Sequence, residues 1–411
     1  MQGIAVTACG IVSPIGISID EFESRMFAGD SGVVDLRGTL VGHNFPAPYG
    51  GLIDDSRIPL SEEFGLPSGL HTNGGRYLLF ALQQVLDRIP ENIRIDGIVQ
   101  ASPAGIFLDP VLASLKSYDP DRFEWDEMRA EWLLEIMAEK LKQRGNGTIS
   151  PENLISINSA CAAGSQAIGI ARDLIRSGAM NRCLVCAVDA SAWESQLMNF
   201  HLLHTLATAD VPANTASRPF SKSRSGFVKG EAAAVLLLES ADAASERNAE
   251  ILGEVCGYAF TSDAFRLTDG RDDNRCVVRA MEQAIADAGI DTGQIDYINA
   301  HGTATEQNDR LETLAIKKVF GDKAYKIPVS SLKSQVGHST VAAGAVEAVA
   351  SLLMLKHQKI APTINLFDPD PECDLDYVSE GCRETKVEYI LSNSFGFGGQ
   401  NACLVIKKAN L

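Results

Sequence analysis

IDYINAHG, residues 295–302, repeats the pattern of IDGIVQAS, residues 95–102. Both read Ile-Asp-x-Ile-x-x-Ala ahead of a turn of small residues. Both also follow a helical segment, Cys276–Ala288 in one case and Tyr77–Leu86 in the other. A strand-like run approached from a helix and left through small residues is a unit of an α/β fold. The correspondence extends outward. Strand Leu154–Ile157, then SACAAG and an apolar helix, is echoed by Ile327–Ser330, then KSQVGH and the apolar helix Val341–Leu355. Leu184–Val188 is echoed by Tyr389–Ser392, Ala233–Leu238 by Ala402–Ile406, and the opening Ile4–Ala8 by Ile251–Tyr258. Internal repetition on this scale constrains the fold more than any one element does. The chain reads as two copies of one α/β half, residues 1–245 and 246–411, joined at the Ala- and charge-rich link Ser240–Asn248.

The first half carries the insertions. They are the Gly/Pro-rich region Gly29–Gly75, the acidic and aromatic stretch Phe123–Arg144, and the segment Trp193–Gly226. Excursions of this length are functional or interfacial in compact domains.

Composition excludes several classes of function. A 411-residue chain that is 45% hydrophobic and 22% charged is globular rather than disordered. With 36 Lys+Arg against 53 Asp+Glu, the net charge of −17 argues against nucleic acid and against an anionic membrane surface as partner. The opening MQGIAVTACGIVSPIG lacks a basic leader and a long apolar core, so it does not read as a signal peptide. Uninterrupted apolar runs fall short of a membrane span. Nine scattered cysteines suit a reducing compartment, and a cytoplasmic location is expected. Cys183 and Cys186 form a CxxC, but it lies inside the strand-like run CLVCAVDA with no second ligand pair nearby, so no metal site is expected.

Within ISINSACAAGSQAIGIARDLIR (155–176), Cys161 stands where a strand breaks into small residues and a buried helix begins. Unpaired N–H groups and the helix dipole at that end favour an anion, which predicts a lowered thiol pKa and a nucleophilic thiolate. A packing cysteine is the alternative reading. Three more clusters follow strand ends, where ligands bind in open α/β sheets. Asn299–Thr305, with Asn308, Asp309 and Glu312 after it, places His301 beside Gly302, Thr303 and Thr305. Ser330–His338 places Lys333 and His338 before a helix whose one charge between His338 and Lys356 is Glu347. A carboxylate in so apolar a helix needs a partner, and Lys333 is the nearest cation. Asn393–Asn401 is a glycine-rich turn between two strands. It is either a plain hairpin or a place where backbone N–H groups approach a reacting carbonyl. A lone Cys–His pair would suit a hydrolase, whereas two separate histidines suit a reaction in which negative charge develops on an oxygen away from the thiol.

Taken together these stretches resemble the β-ketoacyl-[acyl-carrier-protein] synthases, condensing enzymes of types I and II in the thiolase superfamily. The matching pieces are VTACGIVSPIG (6–16), AGDSGV (28–33), SACAAG around Cys161, SRPFSKSRSGFVKGEAAAVLLLE (217–239), NAHGTATEQND (299–309), SSLKSQVGHSTVAAGAVEA (330–348) and NSFGFGGQN (393–401). The resemblance implies the thiolase fold, with two duplicated halves in five layers, α-β-α-β-α. It implies a decarboxylative condensation in which an acyl chain on Cys161 is attacked by the carbanion of a malonyl-carrier protein. It assigns His301 and His338 to the malonyl thioester oxygen, and the N–H groups of Cys161 and Phe397 to the oxyanion hole. Lys333 would support the histidine site with Glu347 as buried partner. Thr303 and Thr305 would hold a 4'-phosphopantetheine arm delivered on the carrier protein, with no cofactor of the enzyme's own. Phe227 and Phe397 would gate the acyl pocket. The implied partners are acyl carrier protein and either a second copy of the chain or a homologous chain-length-factor-like subunit.

The sequence departs from the family at Val336, where threonine is usual, at Ala232 and Ala234, where glycines are usual, and in the glycine-poor turn Ala101–Gly105. Two rivals are a non-catalytic partner subunit and a CoA-dependent thiolase. The first typically loses the cysteine and is opposed by retention of Cys161, His301, His338 and Lys333. The second uses a second cysteine and is opposed by the position of Cys403 past GFGG inside a strand and by the two histidines. Arg57, Arg76, Arg122 and Arg129 are basic residues of the atypical region and the expected contacts for an acidic carrier.

Overall fold

The computed structural model describes residues 3–64, 73–102 and 131–409. Arg122, Arg129 and the end of the Ala101–Gly105 turn lie outside these residues. Ten strands form the central sheet: β1 (Ile4–Val12), β2 (Gly97–Ala101), β3 (Leu154–Ile157), β4 (Arg182–Asp189), β5 (Ala232–Glu239), β6 (Gly253–Ser262), β7 (Tyr297–Asn299), β8 (Val329–Ser330), β9 (Tyr389–Gly396) and β10 (Gln400–Lys407). Their spatial order is β8-β7-β9-β10-β6-β1-β5-β4-β2-β3. Read outward from the centre, β1-β5-β4-β2-β3 and β6-β10-β9-β7-β8 are the same sequence of first, fifth, fourth, second and third strand. The directions match as well. The first and fifth strands are antiparallel, the fifth and fourth antiparallel, and the remaining pairs parallel. The repeat legible in the sequence is thus a repeat in space. The halves meet along a short antiparallel pairing, Ile4 to Val6 against Val255 to Gly253, and the link Ser240–Asn248 contains the short helix Ala241–Glu246.

Helix α1 (Ile19–Ala28) follows β1, and helices α2 (Asn73–Leu86) and α3 (Glu131–Arg144) cover the outer face of the first half. Helices α6 (Arg275–Asp287) and α7 (Glu306–Phe320) lie outside the second. Between the two halves run α4 (Ala163–Arg176) and α8 (Ala343–His357), packed on each other. These are the five layers. They explain why the strands read as continuous apolar runs: both faces are covered. In β4, Cys183, Val185 and Ala187 face the central core while Leu184, Cys186 and Val188 face the outer one. The two cysteines of the CxxC therefore point to opposite sides of the sheet and cannot share a metal.

The stretch Thr340–His357 is long and apolar enough to span a membrane, yet 89% of it is buried in this core. Small residues let the central helices approach. A Cβ on Gly164 would lie 2.7 Å from the Ala345 backbone N, and one on Gly344 would lie 2.6 Å from the Ser165 N. Overpacking of this kind forces backbone shifts. Gly344→Ala is expected to lower unfolding free energy by about 1–3 kcal/mol, read as a lower denaturant midpoint, although alanine is the better helix former.

The insertion Gly29–Gly75 supplies two strands of a small second sheet, Val33–Asp35 and Tyr49–Gly51, and the latter pairs with Lys229–Gly230. The segment Trp193–Gly226 contains α5 (Glu194–Leu202).

Candidate active site

Cys161 follows β3 through a turn in which Ala160 takes the left-handed conformation, φ 50°. The Asn158 side chain accepts the Ala160 N–H at 3.1 Å and holds that turn. Helix α4 begins at Ala163 with Ala162 as its cap, so Cys161 sits just before the helix end, as the sequence suggests. Its titration does not follow the sequence expectation. Burial pushes the thiol up to about 11, and the opposing influences of Lys333, the Phe397 N–H and Lys229 do not overcome it. The desolvation that surrounding apolar residues impose outweighs the helix end. At neutral pH Cys161 is a thiol, placed 3.1 Å from His338 Nε2.

His301 stands on the turn after β7 and His338 after β8 and the short helix Lys333–Val336. Their rings meet edge to face, with centroids 5.3 Å apart. Burial, reinforced by Lys333, holds both imidazoles well below the ordinary histidine range, so both are neutral. Each keeps a buried Nδ1 with no hydrogen-bond partner among the described residues. The His301 turn is fixed from behind by Glu312, which accepts the His301 and Gly302 N–H groups at 2.8 Å and the Asn393 side-chain amide at 3.1 Å. Burial raises the Glu312 carboxyl to about 7.

Lys333 and Glu347 form a buried ion pair, each side chain 2% exposed, as the sequence predicts. The glycine-rich turn is both a hairpin and a close approach. It joins β9 to β10 with Gly398 and Gly399 at φ 80° and 76°. A Cβ on Gly396 would come 3.0 Å from the Cys161 backbone N, so only glycine brings this strand end so near. The Phe397 N–H lies near enough to the Cys161 sulfur to favour its thiolate form. Two backbone N–H groups thus converge beside one thiol.

The cleft is lined by Cys161, His301 and His338 at its base and by Thr303 and Thr305 along its wall, whose hydroxyls are 2.9 Å apart. Phe227 lies edge-on to His338 at 5.2 Å, and Phe200 of α5 packs on both Phe227 and Phe397. Behind them is an apolar cluster of Leu36, Val41, Phe45, Leu197 and Leu206. The aromatic trio separates this cluster from the cleft.

Of the residues expected from sequence, Cys161, His301, His338, Thr303, Thr305, Phe227 and Phe397 line one cleft, and the Lys333–Glu347 pair is not part of its lining. Sequence alone assigns no role to Glu312 or to Lys229, which is fully buried beside Asp189 at 2.9 Å, although a charge inside GFVKGEAAAVLLLE is the same signal as Glu347 in its apolar helix. Cys403 lies inside β10, as the sequence suggests, donating to Asn393 Oδ1 at 3.3 Å. It does not line the cleft, so the thiolase reading lacks its second cysteine. Of the arginines expected to meet an acidic carrier, Arg76 donates to Asp55 and to the Pro59 and Ile58 carbonyls, and Arg57 is paired with Glu21 with its side chain 57% exposed. Arg76 clamps its loop, and neither residue lines the cleft.

Two family models match, "Beta-ketoacyl synthase, N-terminal domain" over residues 153–244 and "Beta-ketoacyl synthase, C-terminal domain" over residues 252–367. A 3-oxoacyl-[acyl-carrier-protein] synthase 2 from Synechocystis is 34% identical across 98% of both chains. Among solved structures, a ketosynthase in the complex AntDE:AntF superimposes with a TM-score of 0.88 at 29% identity, covering 100% of both chains. That complex contains a type II polyketide acyl-carrier protein with its ketosynthase bound to the hexaketide. The ishigamide ketosynthase/chain length factor gives a TM-score of 0.87 at 29% identity, again over the whole of both chains.

Proposed function

Because this chain belongs to the beta-ketoacyl synthase family, we propose that it performs the decarboxylative condensation itself, extending an acyl thioester with malonyl-carrier protein to give a 3-oxoacyl chain two carbons longer. One observation carries this reading: a thiol 3.1 Å from a neutral imidazole, with a second neutral imidazole and two backbone N–H groups turned to the same cleft. A non-catalytic partner subunit would have no use for that convergence.

In the first half-reaction His338 takes the Cys161 proton as the acyl thioester arrives, and Sγ attacks its carbonyl carbon. The N–H groups of Cys161 and Phe397 hold the resulting oxyanion. The pantetheine thiol leaves with a proton, and the acyl group remains on sulfur. Phe227 and Phe397 gate the acyl chain into the apolar cluster behind them. In the second half-reaction the malonyl unit loses CO2, and the electron pair of the broken C–C bond forms an enolate. Its thioester oxygen accepts hydrogen bonds from His301 and His338. Two neutral N–H donors suit this task over a wide pH range, since neither must be charged to donate. The enolate carbon attacks the acyl-cysteine and expels the Cys161 thiolate, which takes up a proton from solvent. Lys333, held in place by Glu347, sets positive charge beside both rings. Thr303 and Thr305 supply hydroxyls to the 4'-phosphopantetheine arm, which arrives on the carrier protein. The enzyme needs no bound cofactor of its own.

The AntDE:AntF and ishigamide structures pair a ketosynthase with a carrier protein and with a chain length factor respectively, and partners of both kinds are proposed for this chain. The second subunit is a copy of this chain or a homologue, and the half-exposed edge strand β3 is an open place for it. The location is cytoplasmic. The pathway is one of fatty acid or polyketide type. Incubation with acyl-carrier and malonyl-carrier proteins should yield the 3-oxoacyl product by mass spectrometry. No product with any primer, alone or with a homologous subunit, would overturn the reading.

A further inference from the structure

We infer that the buried Lys229–Asp189 ion pair is a positioning device that holds the His338 turn against Cys161, an inference that rests on the ketosynthase reading for the chemistry it serves. Lys229 is wholly buried in the two-residue strand Lys229–Gly230. Its ammonium lies 2.9 Å from Asp189 Oδ1 and donates to the Gly230 carbonyl at 2.8 Å. The backbone on either side of Lys229 grips His338. The His338 N–H donates to the Val228 carbonyl at 2.7 Å, and the Gly230 N–H donates to the His338 carbonyl at 2.9 Å.

Asp189, at the end of β4, reaches the other side of the same turn. It accepts the Ser191 N–H at 3.0 Å and the Thr340 hydroxyl. Thr340 follows His338 by two residues and sits at φ 38°, a left-handed conformation that a β-branched residue adopts only when its surroundings impose it. One carboxylate therefore ties together the strand that carries Lys229 and the strained turn that carries His338. The far side of the strand is held by the insertion, through Gly50 opposite Lys229.

A buried ion pair is often replaceable by apolar residues without loss of stability, so its presence here points to orientation rather than to stability. The charged and titratable groups around it are Glu231, whose burial raises its carboxyl to about 7, and Lys333, Cys161, His301 and His338. Positive charge on Lys229 opposes protonation of His338 and favours the Cys161 thiolate, while Asp189 disfavours that thiolate, so removing Lys229 alone leaves the opposing charge.

The test uses the full chain in three variants, Lys229→Met, Thr340→Val and Thr340→Ser, with two readouts. One is malonyl-carrier decarboxylation, and the other is the rate of Cys161 alkylation by iodoacetamide between pH 7 and 9. A displacement near 1 Å at a reacting group costs up to about 100-fold. Lys229→Met should lose about 10- to 100-fold in kcat with KM little changed, and its alkylation should be slower throughout the range. Thr340→Val, which removes only the hydroxyl's bond to Asp189, should lose kcat in the same sense with its melting temperature near that of wild type. Thr340→Ser should restore it. If Lys229→Met does not fold, the Thr340 pair decides. Wild-type kcat and alkylation in Thr340→Val, or a loss confined to KM, would overturn the inference while leaving the condensation reading intact. A wild type inactive toward every primer would sink that reading instead, and the alkylation rates would still decide whether His338 is held from Asp189.

Discussion

Cys161→Ala should lose condensation by about 10⁴-fold or more while continuing to release CO2 from malonyl-carrier protein. The asymmetry follows from which groups serve which half-reaction. Acyl transfer needs the sulfur, because among the described residues of the cleft no other nucleophile is poised beside a base: Sγ is 3.1 Å from His338 Nε2. Decarboxylation needs only donors at the thioester oxygen, and the imidazoles of His301 and His338 stay in place when the thiol is removed. Removing a member of such a unit costs nearly what removing the whole unit does, so the residual condensation should be near background. The measurement is labelled CO2 release beside 3-oxoacyl product from the same incubation. Equal loss of both activities in a folded variant would show that the two histidines do not act independently of the sulfur.

The second large effect is expected at the Lys333–Glu347 pair. Lys333→Met leaves a carboxylate 2% exposed with no cation, and breaking a buried pair in this way destabilises by about 3–5 kcal/mol. The loss should depend on pH with a definite sign. Burial already raises the Glu347 pKa above its ordinary value even with Lys333 present, and removing the lysine raises it further. A carboxyl whose folded pKa exceeds its unfolded one contributes stability below the unfolded value and loses it as pH rises through the folded value. The variant should therefore fall further behind wild type at pH 8 than at pH 6, measured as denaturant midpoints. The double variant Lys333→Met/Glu347→Leu should recover most of the stability, because apolar residues of similar volume replace buried pairs at little cost. It should not recover activity, since the positive field beside His301 and His338 is gone. A double variant that is both stable and fully active would show that the pair serves packing alone.

Much of this was legible in the sequence, for a physical reason. The fold repeats, and the two copies of Ile-Asp-x-Ile-x-x-Ala mark β2 and β7, which occupy equivalent places in the sheet. Strands buried on both faces leave unmistakable apolar runs, and the corners that follow them carry Cys161, His301 and His338. A lone carboxylate in an apolar helix likewise announced its partner. What sequence could not supply were quantities set by distant packing. The helix end at Cys161 argued for an acidic thiol, but its burial comes from elements far along the chain and reverses the sign. Asp189 ends one strand and Lys229 lies on another, and no local pattern brings them together. Phe200 belongs to an insertion without clear periodicity, yet it closes the aromatic trio with Phe227 and Phe397. The loop carbonyls that Arg76 holds are likewise brought to it only in space.

The central claim is that Cys161 carries the acyl chain and passes it to a decarboxylated malonyl unit. Peptide mass spectrometry after brief incubation with acyl-carrier protein tests it most directly. The acyl mass should appear on the peptide containing Cys161, be absent from Cys161→Ala, and disappear on addition of malonyl-carrier protein as 3-oxoacyl product forms. Acylation at another of the nine cysteines, or an adduct on Cys161 that is hydrolysed rather than transferred to carbon, would contradict it.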